Sequence, residues 1–295
     1  MVNGMYLNRD INNIFIVNNH AGNKKGRDFS LYLENLPFEC KRQCLVVNSK
    51  KRGDISELVK YYCNLYKNAT IYSVGGDGTL NEVVNGISSF QNLAIIPTGT
   101  GNDFYRAYKE IKGTKKIDIG MVNGRKFINI ASVGLDAKIA RDANIYKCKK
   151  NLKNSAYPIS IIKNIIKKED FSTSLGDLTL LAVANGKYYG NGIPLNPNYN
   201  LNDGLLDIYK VDKIKRLEIL KLLLKIYKGT HTNDELVDYC QTNYLNISSD
   251  INLIGNVDGE IFYAKEFEFK VLPNGLTLTT DVPIFIKDYV KTRIK

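Results

Sequence analysis

Ile71-Tyr72-Ser73-Val74-Gly75-Gly76-Asp77-Gly78-Thr79-Leu80-Asn81-Glu82-Val83-Val84-Asn85-Gly86 is the stretch on which the reading of the chain turns. It opens as a short apolar, β-branched run and breaks into glycines around an aspartate. It then resumes with Leu80, Val83 and Val84 at helical spacing. Strand, glycine turn, helix is the layout that aims backbone N–H groups and the positive end of a helix dipole at an anion. Gly75, Gly76 and Gly78 are expected to supply positive φ and a close approach of backbone to phosphate. A carboxylate in such a turn would repel a bare phosphate, so Asp77 points to a cation or hydroxyl beside it. A nucleotide phosphate with Mg²⁺ meets both demands.

Working outward, residues 92–96 read as the next strand, running into Pro97-Thr98-Gly99-Thr100-Gly101-Asn102-Asp103-Phe104. Residues 14–17 read as an earlier strand, running into the polar loop Asn18-Asn19-His20-Ala21-Gly22-Asn23-Lys24-Lys25-Gly26. Between them lie a helix over 27–36, a strand over 44–47, a basic loop over 48–52, and a helix ending at Lys67 that Asp54 or Ser56 could cap. Residues 69–74 lead into the opening stretch. Short apolar strands alternating with amphipathic helices predict a parallel sheet covered on both faces. Loops after consecutive parallel strands end on one sheet edge, where open α/β folds bind ligands.

The rhythm changes near residue 116. Residues 116–122 and 125–133 flank Asn123-Gly124, a type I′ hairpin signal. Helices are predicted over 136–146, 157–168 and 214–227. Strands are predicted over 178–184, 205–211 and 236–247, with three more through Thr280 separated by turn signals such as Asp258-Gly259 and Asn274-Gly275. The expectation is an α/β N-terminal domain over 1–118, with 282–295 packing back on it, and a C-terminal antiparallel β-sandwich over 119–281.

Composition narrows the partners. The 295 residues carry a formal charge of +11, a sign that suits nucleic acid, anionic membrane or a polyphosphate substrate alike. No helix-turn-helix, RNP or zinc pattern supports nucleic acid, and no Walker A sequence is present. Cys40, Cys44, Cys63, Cys148 and Cys240 lack CxxC spacing, which argues against zinc and fits a reducing cytoplasm. Residues 1–13 are too polar for a signal-peptide core, and no apolar run is long enough to span a bilayer.

Together the motifs resemble the diacylglycerol kinase catalytic domain family, shared by bacterial lipid kinases, sphingosine kinases and ceramide kinases. The resemblance is carried by Gly75 to Thr79, Pro97 to Asp103, Asn18 to Gly22, Gly134 to Ala137, Asn185-Gly186 with Gly190 to Pro194, Asp203-Gly204 through Asp207, and Asp258-Gly259-Glu260. The glycine-aspartate turn alone also occurs in NAD kinases and phosphofructokinases; its combination with Pro97 to Asp103 and Asp258 to Glu260 is the specific signal. Three departures stand out: Asn19 where proline is usual, Asn191 where glycine is usual, and Tyr199 where alanine is common.

The resemblance implies a Rossmann-like nucleotide domain and ATP-dependent, Mg²⁺-dependent phosphorylation of diacylglycerol or a related lipid alcohol. Nucleotide-binding residues would be Asn18, Asn19, His20, Ala21, Gly22, Gly75, Gly76, Gly78, Thr79, Leu80, Asn81, Glu82 and Thr100. Asp77 would ligate the catalytic Mg²⁺, with Asp118 a further candidate for that network. Asn102 and Asp103 would orient substrate or cap a helix. The general base would be Glu260 or Asp258, with the resemblance favouring Glu260. A structural Mg²⁺ would sit on Asn200, Asp203 and the Leu205 carbonyl, where the residues alone read equally as an Asx turn. The implied partners are a lipid alcohol and a transient anionic membrane surface, with a homodimer possible, no nucleic acid, and a cytoplasmic location at the inner membrane surface. The alternatives are a kinase of a soluble substrate such as NAD, and a non-catalytic nucleotide-binding regulator. The helix over 214–227 mixes leucines with lysines and reads either as a core helix with a solvated basic face or as a membrane-surface helix.

Overall fold

Strands that are apolar on both faces pair in parallel with helices above and below, and the first part of the chain folds this way. The computed structural model describes residues 10–19, 25–51, 53–147 and 155–293. The chain divides into Met1–Ile117 with Asn274–Lys295, and Asp118–Pro273.

In the first part, β1 (Asn13–Val17), α1 (Lys25–Glu34), α2 (Phe38–Lys41), β2 (Cys44–Asn48), α3 (Ile55–Leu65), β3 (Thr70–Gly75), α4 (Asp77–Gly86), β4 (Asn92–Pro97) and α5 (Asp103–Tyr108) follow in order. The sheet runs β2-β1-β3-β4, all parallel, with Val17 opposite Val74 and Gly75 opposite Pro97. Phe15, Val17, Tyr72, Val74, Ala94 and Ile96 form one core with Phe29 and Leu33 of α1. The alternate residues Ile14, Ile16, Ile71 and Leu93 are fully buried too, so both faces are covered. Each such side chain contributes roughly 1.5–3 kcal/mol.

Asp54 does not cap α3 with its side chain. Its carboxylate accepts the Lys50 and Lys51 N–H groups instead, and Glu82 of α4 takes the capping role by accepting from Gly53 (3.3 Å) and Ile55 (3.1 Å).

The second part contains most of β5 (Thr114–Val122), then β6 (Arg125–Phe127), β7 (Ile130–Gly134), α6 (Leu135–Lys147), α7 (Ala156–Ile166), β8 (Phe171–Thr173), β9 (Gly176–Ala184), β10 (Leu206–Asp212), α8 (Arg216–Lys228), β11 (Asp238–Thr242), β12 (Tyr244–Val257) and most of β13 (Glu260–Thr279), whose end from Asn274 belongs to the first part. The strand order β11-β10-β9-β7-β12-β13 is antiparallel throughout. Along β9 the side chains alternate between two cores. Leu181 and Val183 join Phe267 and Phe269, whereas Ala182 and Ala184 join Tyr209 and the Leu222 and Ile226 side chains of α8.

Three boundaries differ from the sequence reading. The strand expected over 125–133 breaks after Phe127, because the N–H groups of Ile128, Asn129 and Ile130 donate to the Asp258 carboxylate. The strand expected over 236–247 splits at Asn243, where the Thr242 hydroxyl accepts the Tyr244 N–H and donates to its carbonyl, a local bond that competes with the ladder. Asn274-Gly275 is not a hairpin: Asn274 adopts φ 53° within β13, and Thr277 and Leu278 continue in parallel pairing with β4. The final helix α9 (Ile284–Arg293) places Ile286 and Tyr289 in the core with Phe15 and Phe29, and the Tyr32 hydroxyl donates to the Phe285 carbonyl at 2.8 Å.

Candidate active site

Parallel register brings three loop starts to one edge of the first sheet. The Asn18 N–H donates to the Val74 carbonyl at 3.0 Å, and the Thr98 and Gly99 N–H groups both donate to the Gly75 carbonyl. The Asn18 amide reaches Thr79 Oγ1 at 3.1 Å, tying the loop after β1 to the first turn of α4. Asp77 opens that turn, and its Oδ1 accepts the Asp103 N–H at 2.7 Å, holding the start of α5. Asn102 precedes α5 with φ 52°, its amide donating to the Gly99 carbonyl, while Asp103 is buried with Arg106 4.0 Å away.

The glycines serve close approach rather than handedness: none of Gly75, Gly76 and Gly78 adopts a positive φ. A Cβ on Gly75 would lie 2.2 Å from Thr79 Oγ1, and one on Gly99 would lie 2.3 Å from the Gly76 Cα. Two backbones therefore touch at Gly76 and Gly99. Gly78 differs, because a Cβ there would meet nothing within 4 Å. Packing does not require glycine at this exposed first-turn position, whereas a ligand laid against the helix N-terminus would. Gly78→Ala should therefore leave thermal stability unchanged or raised, by up to about 1 kcal/mol of helix propensity. ATP affinity, measured by calorimetry, should fall about tenfold through lost backbone approach.

The expected nucleotide residues separate into distinct environments. Thr79 and Asn81 are buried in the first turns of α4, and Thr100 is exposed in the loop after β4. The Leu80 N–H donates to the Gly76 carbonyl and its side chain is buried. Glu82 is committed to the α3 N-terminus. His20, Ala21 and Gly22 lie outside the described residues. Among the described residues Asn19 Oδ1 and Thr98 Oγ1 are buried with no hydrogen-bond partner, two polar atoms in the loops that follow β1 and β4. An uncompensated buried polar group is costly, so a polar ligand here has groups ready to receive it.

In the second part, Asp258 at φ 47° and Gly259 at φ 94° form the β12–β13 turn, and Glu260 follows it. Both Asp258 oxygens are engaged, accepting from Ile128 (2.7 Å), Asn129 (3.0 Å) and Ile130 (2.9 Å). Glu260 starts β13 and is half-buried. A buried polar cluster supports the turn: Asn256 accepts the Gly259 N–H at 2.9 Å and donates to Ser132 Oγ and the Tyr189 hydroxyl. Burial pushes the Asp136 carboxyl above its usual range, opposed by hydrogen bonds from Ser132, Tyr189 and Asn256. Burial also pushes the Tyr189 phenol up, with Asp136 adding to it. Asn256 and Tyr189 went unmarked in the sequence, although an amide within the apolar end of β12 was the available signal.

The turn before β10 gathers a second oxygen-rich group. Asn200 Oδ1 accepts the Asn202 N–H and Asp203 Oδ1 accepts the Leu205 N–H, two Asx turns in succession. Asp118, 1 % exposed, accepts the Gly204 N–H at 2.7 Å, and its own N–H donates to the Leu201 carbonyl. The Asn185 amide donates to the Asp118 and Ile128 carbonyls, while among the described residues the amide oxygens of Asn185 and Asn129 are buried with no partner. Such an oxygen-only set suits a hard cation in kind. Asn129, set in the apolar run around Ile128 and Ile130, was likewise unmarked by sequence reasoning. Asn191, in place of the usual glycine, adopts φ 75°, a conformation asparagine tolerates better than most side chains. Tyr199 lies under the Lys187 ammonium.

Comparison with known proteins places these features in context. Residues 12–127 match the model of the diacylglycerol kinase catalytic domain, and residues 129–280 match that of the YegS C-terminal NAD kinase beta sandwich-like domain. Diacylglycerol kinase of Bacillus subtilis (strain 168) is 31% identical over 214 residues, covering 64% of this chain and 70% of that protein. Diacylglycerol kinase of Staphylococcus epidermidis is 30% identical over 242 residues, covering 73% of each. A crystal structure described as a diacylglycerol kinase from Bacillus anthracis Sterne shares the fold, with a TM-score of 0.63 at 21% identity over 90% of this chain and 96% of that one.

Proposed function

Because the chain belongs to the diacylglycerol kinase catalytic domain family, we propose that it transfers the γ-phosphate of ATP to the hydroxyl of diacylglycerol or a related lipid alcohol. In this reading residues 1–117 with 274–295 are a Rossmann-like nucleotide domain, and residues 118–273 bind the acceptor. The observation that carries the reading furthest is the β3–α4 turn, where Asp77 is fixed against α5 and Gly78 faces open space. Phosphoryl transfer is positioning plus charge neutralisation. The first-turn backbone of α4 would cradle phosphate, and Asn18, Asn19 and Thr100 would line the nucleotide. Asp77 would hold the catalytic Mg²⁺, whose chemistry is to neutralise charge on the phosphate oxygens.

Glu260 is the better base, because Asp258 already spends both oxygens on three backbone donors. Asp258 would position the turn from which Glu260 works, and Asp136 with Asn256 would brace it. Asn200, Asp203 and the Leu205 carbonyl would hold a structural Mg²⁺, with Asp118 linked to the same turn. Among the described residues no helix is long and apolar enough to cross a membrane. The proposed location is the cytoplasmic face of the inner membrane, visited from solution.

The test is labelled ATP with Mg²⁺ and mixed micelles of candidate lipid alcohols. Wild type should place label in a lipid phosphate, and Glu260→Gln should lower the rate about 10²-fold or more, as loss of a general base does. Label found only in NADP would overturn the reading in favour of a soluble acceptor. ATP binding without transfer to any acceptor would point to a regulator.

A further inference from the structure

Helix α8 has two apolar faces, one buried in the cores of the described residues and one exposed. Ile219, Leu222 and Ile226, spaced three and four apart, enter the cores beneath it. Leu217, Leu220, Leu224 and Tyr227 repeat that spacing on the outside, at 73%, 46%, 65% and 52% exposed. A helix needs one apolar stripe to dock on its own core, and the second stripe lies outside the buried clusters of the described residues. Helix α7, joined to α8 through the Ile165 and Ile219 cluster, likewise exposes Ile162 and Ile166. Neighbouring exposed apolar groups of this kind mark interaction surfaces.

The charge around the stripe identifies what covers it. Lys213, Lys215, Arg216, Lys221 and Lys228 are all exposed on or just before α8. The one acid of the helix, Glu218, is spent on the Lys215 N–H, and Lys225 pairs with Asp234 at 2.6 Å. Cations flanking an exposed leucine stripe are the pattern of a helix that lies in a bilayer interface, leucines among acyl chains and lysines reaching to headgroups. Each basic group near an anionic leaflet adds favourable binding energy. A second copy of this chain meeting the same face in a two-fold contact would bring the two basic faces together, which disfavours it. We infer that the outer face of α8 is a docking surface for an anionic phospholipid bilayer. The inference rests on the lipid-kinase reading, since an enzyme of that kind meets its acceptor in a membrane.

Co-sedimentation of the full chain with vesicles tests the inference, comparing phosphatidylcholine alone with an equal mixture of phosphatidylcholine and phosphatidylglycerol. Wild type should sediment with the mixed vesicles and lose binding as salt rises. Leu217→Gln, Leu220→Gln and Leu224→Gln together should weaken that binding at least about tenfold, as should Lys221→Glu with Lys228→Glu. Both variants should keep the wild-type melting curve and phosphorylate short-chain diacylglycerol in solution at the wild-type rate. Undiminished vesicle binding by the triple variant would overturn the inference. So would a wild-type dimer that the triple variant dissociates in analytical ultracentrifugation while still binding vesicles. If wild type docks through α8 yet phosphorylates no lipid, the kinase reading fails and the surface stands; lipid phosphorylation with undiminished docking by the variants fails the surface alone.

Discussion

Asp77→Asn is expected to lower phosphoryl transfer to lipid by about 10³-fold, the scale seen when a preorganised group facing transition-state charge is removed. The substitution separates two roles that one carboxylate holds. Oδ1 accepts the Asp103 N–H at 2.7 Å, a role the asparagine amide oxygen retains. The start of α5 therefore stays in place, and the cost is about 1 kcal/mol, the difference between a charged and a neutral acceptor. A melting shift of only about 2–4 °C is the corresponding expectation for a chain of this size. What asparagine cannot supply is the negative charge for Mg²⁺. ATP binding by wild type should tighten when Mg²⁺ is added, and by the variant it should not. Full activity in Asp77→Asn, or retained Mg²⁺ dependence of ATP binding, would remove Asp77 from the metal site.

Asp258→Ala should have the opposite signature, a loss of folding rather than of chemistry alone. The Asp258 carboxylate terminates three N–H groups of the buried segment Ile128, Asn129 and Ile130. Without it those donors lose the carboxylate that accepts from all three inside a region where water cannot readily replace it, and buried polar groups left unsatisfied cost about 1–3 kcal/mol each. Allowing for local relaxation, a total of about 4 kcal/mol is expected, at the upper end for a single substitution. That corresponds to a melting temperature lower by roughly 10 °C. Glu260→Gln keeps the size and shape of the side chain and leaves the Asp258 clamp in place, so it should melt close to wild type. If Asp258→Ala melts normally while transfer collapses, Asp258 rather than Glu260 is the base.

These two carboxylates show why the motifs were easier to read than their work. Asp258-Gly259-Glu260 advertises a turn, and the hairpin does form with both turn residues at positive φ. Nothing in that local sequence reveals that Asp258 reaches back 128 to 130 positions to interrupt a strand. Glu82 is a similar case. It reads as part of the phosphate loop, yet it caps a helix that begins 27 positions earlier. Asn274-Gly275 carries the same hairpin signal as Asn123-Gly124, and only the latter closes a two-strand hairpin, between β5 and β6. After Asn274 the chain has a free partner in β4, and pairing with it replaces reversal.

By itself the sequence determined what short-range patterning can carry. Short apolar runs, helical spacing after glycine turns, turn signals and the order of the motifs gave a parallel α/β part, an antiparallel part and a family, because these depend on neighbours a few residues apart. Tertiary structure alone decided which carboxylates anchor backbone, that packing leaves open space at Gly78, and which apolar face of α8 lies exposed. Those outcomes depend on hydrogen bonds and packing between segments far apart in the chain, where a buried donor takes whichever acceptor the fold brings to it.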